Sequence, residues 1–177
     1  MKILIIVLVA LLLNAGEAPI TGAFGYKIGE VLDISKAKKV NSAYRVKPIA
    51  SKKSKVFQKY QVYITPISKR IISISAWGFF ETQNKCKEIK IYMTTMLKEK
   101  YKYNPSIESY ESTYLDSSIL LSGCTKPIKD TKDPYNITYG ETAKYMLFID
   151  YTSYQINDIA IKEKSELLKP EYNFNSM

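Results

Sequence analysis

The stretch from Ile71 to Tyr101 restricts the fold more than any other, because two different periods meet in it without a linker. Ile72, Ile74 and Ala76 alternate with Ser73 and Ser75, the period-two pattern of a half-buried strand. Beyond Gly78 the spacing changes. Cys86, Ile89, Met93, Met96, Leu97 and Tyr101 recur as one stripe of a 3.6-residue helix, with Lys87, Glu88, Lys90, Lys98 and Glu99 mostly off it. Thr82 or Asn84 can cap the helix start, lysines 98, 100 and 102 crowd the end where the helix dipole favours cations, and Asn104-Pro105 stops it. A helix with one apolar stripe, directly after a one-sided strand, must lie across the sheet to which that strand belongs.

Further strands are expected on both sides of this unit. Tyr44 to Ile49 and Val56 to Thr65 form an antiparallel meander with Ile71 to Trp77. After the helix come Ile107 to Leu115, Ser117 to Cys124 and Ala143 to Tyr151, the last apolar on both faces, which places it centrally. A closing helix from Ile156 to Leu168 ends at Pro170. The expectation is an α+β fold: an antiparallel sheet of five or six strands, the amphipathic helix Asn84 to Lys100 on one face, and a C-terminal helix. With 177 residues and 46% hydrophobic content, one domain over 19–177 suffices.

Residues 1–18 are expected to be a signal peptide. Lys2 is the positive n-region, Ile3 to Leu13 the apolar h-region, and Asn14 to Ala18 the small-residue exit. The run is short of the roughly twenty apolar residues a span requires, so no membrane span remains after cleavage. The cut is left open between Ala15, Gly16 and Ala18, because Pro19 disfavours the last. Export makes the location periplasmic or secreted, and in an oxidising compartment Cys86 and Cys124 read as one disulfide. A loop of that length is worth about 4 kcal/mol in the chain-entropy account.

The segment Phe24-Gly25-Tyr26-Lys27-Ile28-Gly29, the strand Tyr60 to Thr65 ending at Pro66, the unit Ile72 to Cys86, the Leu97 to Tyr101 helix end and the late Tyr145 to Tyr151 strand together resemble a family of small bacterial periplasmic or secreted proteins. The mature part of that family opens with FG-x-K-x-G. The resemblance implies an α+β fold and an exported location, and it brings no activity with it. Lys102 stands where the family commonly has glycine.

Missing residue types limit the chemistry. The chain has no histidine, so the commonest general base and metal ligand is absent, and both cysteines are used in the disulfide. No metal site, cofactor or catalytic set is expected. The carboxylate pairs Asp130/Asp133 and Glu108/Glu111 read as solvated residues, the Ser51-Lys52-Lys53-Ser54 turn lacks the helical S-x-x-K arrangement, and Asn136-Ile137-Thr138 is a bare sequon. The net charge of +9 is almost all lysine, with Arg45 and Arg70 the only arginines, which argues against specific nucleic-acid reading.

A candidate contact surface follows from alternation. If Tyr60, Val62, Ile64, Ile72, Ile74 and Ala76 face the helix, Phe57, Lys59, Gln61, Tyr63, Ser73, Ser75 and Trp77 face away, with Arg45 and Lys47 at the edge. Arg45, Lys47, Lys59, Tyr63 and Trp77 are the expected partner-binding residues, with Trp77 as an accessible anchor. Large aromatics mostly find cover, so the competing reading puts Trp77 and Phe57 inside. Two functions remain: a non-enzymatic cell-envelope binding or accessory protein (an inhibitor, immunity or assembly factor) with a protein partner, an anionic polymer or a glycan, and a histidine-free hydrolase of an envelope polymer using carboxylates.

Overall fold

The computed structural model describes residues 18–168 except positions 41, 50, 51, 53, 107, 113 and 126–143. All of the expected signal segment but Ala18, the Asp130/Asp133 pair, the sequon and part of the 51–54 turn therefore lie outside the described residues. The chain forms a short hairpin, β1 (Gly22–Ala23) and β2 (Tyr26–Lys27), then β3 (Lys38–Val40), β4 (Ala43–Arg45), β5 (Lys59–Ile64) and β6 (Ile71–Phe80). Helix α1 (Gln83–Lys100) follows, then β7 (Lys102–Asn104), β8 (Ser109–Ser112), β9 (Ser117–Thr125), β10 (Tyr145–Ser153) and α2 (Tyr154–Leu167). Strands β3 to β10 make one eight-stranded sheet in the order β3-β4-β5-β6-β10-β9-β8-β7, with every neighbouring pair antiparallel.

The α+β class and both helices are as the sequence predicts, but the sheet has eight strands rather than five or six. The additional strands are its two edges. Lys38-Lys39-Val40 and Lys102-Tyr103-Asn104 are too short to carry an alternation, and their pairing comes from the adjacent β4 and β8. Strand β10 is central, between β6 and β9, which accounts for apolar residues on both of its faces.

Helix α1 starts at Thr82, whose Oγ1 accepts from Lys85 N at 3.3 Å. It lies over β9, β10 and β6 and turns Cys86 and Leu97 into the core, with Ile89 and Met93 packed beside them. Met96, expected in that stripe, is instead 47% exposed. The stripe slips because the contact narrows to positions 86, 89, 93 and 97, the i, i+3, i+4 set of a single seam.

The disulfide Cys86–Cys124 joins α1 to β9, with Cα atoms 5.5 Å apart. Plain alternation would turn Cys124 away from the helix, since Leu121 already faces the core on the same strand. A bulge resolves this. Leu147 pairs with Gly123 but Met146 pairs with Thr125, leaving Cys124 as the extra residue at φ 67, and the left-handed kink directs its sulfur to Cys86.

The rest of this face is covered by the N-terminal segment. Ala23 pairs with Tyr26, so the hairpin turn is Phe24-Gly25, with φ 56 and 91, the two positive values of a type I′ turn. A Cβ on Gly25 would meet the Ile49 side chain at 2.6 Å, so glycine is required there for space as well as conformation. The turn presents the Phe24 ring edge-on to Phe57, Tyr60 and Tyr151, with centroids 5.7, 4.9 and 6.1 Å away. Phe57, expected on the opposite face, is therefore buried in the core: it precedes the first residue of β5, where alternation does not yet apply. Backbone bonds from Gly29 N to Ile71 O and from Ile71 N to Glu30 O, both 2.8 Å, fasten the segment to the start of β6.

Candidate functional site on the outer face of the sheet

The face opposite α1 is organised in rows across the strands. One row runs Lys59, Trp77, Phe148, Ser122, and the next runs Arg45, Gln61, Ser75, Asp150, Leu120. A third contains Tyr63, Ser73, Thr152, Ser118 and Glu111. Of the expected contact residues, Arg45, Lys59, Tyr63 and Trp77 are thus brought onto one surface. Lys47 lies beyond the end of β4, exposed, its carbonyl accepting from Tyr26 Oη at 2.7 Å.

The first row is aromatic and cationic. The Trp77 and Phe148 rings are 5.2 Å apart, and Lys59 Nζ sits 5.3 Å from the centroid of Phe79, the next outward residue on β6. Partial burial, reinforced by repulsion from Arg45, holds the Lys59 ammonium below the usual lysine range. Trp77 is only 2% exposed. Its mass packs within this face, so the side chains nearer solvent, Lys59, Tyr63 and Arg45, form the reachable part of the surface.

The middle of the face is polar and yet buried. Gln61, Ser73, Ser75 and Ser118 are all buried, and Asp150 stands among them. Its carboxylate accepts hydrogen bonds from Ser75 Oγ on β6 and from Thr152 Oγ1 on its own strand. Burial pushes the Asp150 carboxyl above the ordinary aspartate range, and the two hydroxyl bonds only partly counter it. Ser109, on the far side of Leu120 in the same row, has a buried hydroxyl without a hydrogen-bond partner among the described residues.

Asp150 is the residue that periodicity missed. The available signal was a charge inside Tyr145 to Tyr151, a strand otherwise apolar on both faces, and acidic residues are rarely buried without a reason. Of the Glu108/Glu111 pair, Glu108 is in an exposed turn, and Glu111 accepts from Asn104 Nδ2 at 2.8 Å. Glu111 shares the outer face with Asp150 but lies two strand spacings away and one row along, about 12 Å. Among the described residues no group of three or more cysteine, aspartate or glutamate side chains could hold a metal ion. No described helix is long and apolar enough to cross a membrane.

No protein-family model matches this chain, and neither a curated protein nor a solved structure does.

Proposed function

We propose that the protein is a non-enzymatic binding or accessory protein of the cell envelope, exported to an oxidising compartment, that meets a protein partner through the outer face of its sheet. The observation that carries this reading is the row Lys59, Trp77, Phe148 with Arg45 beside it, a packed aromatic floor under a cationic rim. Such a floor holds the rim in place, and the rim selects partners with acidic surfaces by complementarity and speeds encounter. Tyr63 and Lys47 extend the contact at its edges. The Cys86–Cys124 disulfide supports the exported location, since such bonds persist where thiols are not kept reduced. An anionic polymer or glycan on the same rim would be recognised by the same charges. The test is crosslinking and pulldown of the tagged mature protein from its native envelope, comparing wild type with Arg45→Glu/Lys59→Glu. A partner recovered equally by both would defeat the reading.

The rival reading, a hydrolase of an envelope polymer using carboxylates, draws on Asp150, whose raised pKa suits a general acid. Its weakness is the second carboxylate: about 12 Å to Glu111 exceeds the spacing at which glycosidase carboxyl pairs operate. Release of soluble fragments from purified envelope polymer by wild type, abolished by Asp150→Asn, would establish it.

A further inference from the structure

Helix α2 touches the core through Ile156 and Ile159, whereas Ile161 is 60% exposed. Between the later turns of α2 and the β3 edge of the sheet runs an open groove of about 650 Å³. Its floor is Tyr44, Ile64 and Ile72, its helical wall Ala160 and Ile161, and Pro66 closes one side. Neither Lys59 nor Trp77 lines it, and Tyr63, beside the bulge between Tyr63 and Ile64, is shared with the outer-face rows.

We propose that this groove binds a long-chain fatty acid, the chain lying on the apolar floor and the carboxylate held by Lys39, Lys69 and Lys164. Among the described residues these lysines are the only charged ones lining the groove. Glu163, adjacent to Lys164, is engaged elsewhere, accepting from Ile67 N at 2.7 Å and Ser68 N at 3.1 Å. Lys69 is positioned by its own backbone at φ 56 and by a hydrogen bond from Nζ to Pro66 O. The volume falls within the range of small-molecule sites, and an apolar trough with charges of one sign at its rim matches an anionic amphiphile. An acidic peptide suits the floor less well, because its backbone N–H and C=O groups would be left on Ile64, Ile72 and Ile161 without partners. A single acyl chain brings only methylenes to that floor.

The test uses the full mature chain and the fluorescent fatty acid cis-parinarate below its micellar concentration. Saturable enhancement, displaced by laurate but not by hexanoate, dodecylammonium or polyglutamate, is expected. Lys39→Glu/Lys164→Glu should weaken binding about tenfold, and added salt should weaken the wild type towards the variant. Ile161→Asp places a charge on the wall at an exposed site and should abolish binding with an unchanged melting curve. Displacement by polyglutamate would replace the fatty acid with an acidic polypeptide, equal displacement by dodecylammonium would remove any role for the lysines, and binding intact in all variants would remove the groove. Each of these outcomes overturns the proposal. None of them bears on the outer-face reading, whose variants are Arg45 and Lys59.

Discussion

The two faces of the sheet are built on opposite terms. Towards α1, the residues Val62, Ile74, Ile119, Leu147 and Ile149 are fully buried and apolar, roofed by the helix and by the Phe24 hairpin. Towards the outside, Gln61, Ser73, Ser75 and Ser118 are also buried but polar, and they surround a carboxylate. Burial on the first face stabilises by removing apolar area from water; on the second it costs, because each polar group must recover the hydrogen bonds it had there. Such a cost has to be offset elsewhere in the fold, and polar burial of this kind recurs at functional sites.

The largest effect expected on the helix face is loss of the disulfide. Cys86→Ala/Cys124→Ala should lower stability by about 4 kcal/mol, read as the shift in denaturant midpoint. A shift under about 1 kcal/mol would mean that the bulge and the helix contact hold without the crosslink.

On the outer face Trp77→Ala should cost about 3 kcal/mol, the usual loss for a buried large aromatic. The alternation-based expectation was an accessible anchor whose truncation leaves the melting temperature unchanged. An unchanged melting temperature would restore it and make the two faces less different than burial makes them.

Asp150→Asn should do the reverse and stabilise, by about 1 kcal/mol at neutral pH, because it removes a buried charge whose two hydroxyl bonds only partly offset its desolvation. The sign follows from the raised carboxyl pKa: the folded state holds this proton more tightly than the unfolded chain, so stability falls as pH rises from the ordinary aspartate value through the raised one. Asparagine cannot titrate, so the gain should vanish when melting curves are taken below that window. A destabilised variant at all pH values would make Asp150 a structural anchor for Ser75 and Thr152. Smallest is Ser109→Ala, expected to be neutral or to gain about 0.5 kcal/mol because the buried hydroxyl it removes has no partner among the described residues. A loss of 1 kcal/mol or more in the same melts would reveal a hydrogen bond there.

Much of the first face was legible in the chain itself. The Ile72 to Ala76 alternation, the seam through Cys86, Ile89, Met93 and Leu97, and the two-sided apolar run of β10 are local patterns, and each led to its element. The candidate site was legible only in part. Alternation placed Lys59, Tyr63 and Trp77 on one face, because side-chain direction in a strand is a matter of parity. It could not bring Asp150 to Ser75, since those residues stand 75 positions apart and meet only because β10 inserts beside β6. Nor could it bury Phe57, whose position depends on the Phe24 ring arriving from another segment.

The amino-acid sequence by itself determined the period of each element, the single apolar seam of α1, the absence of histidine chemistry and the pair of cysteines available for one bond. Tertiary structure decided the pairing order, the two edge strands, the bulge that turns Cys124 to the helix and the burial of Trp77. The division has a physical cause: periodicity is fixed by the covalent geometry of neighbouring residues, whereas burial and the pKa of a carboxyl depend on which distant groups displace water from it.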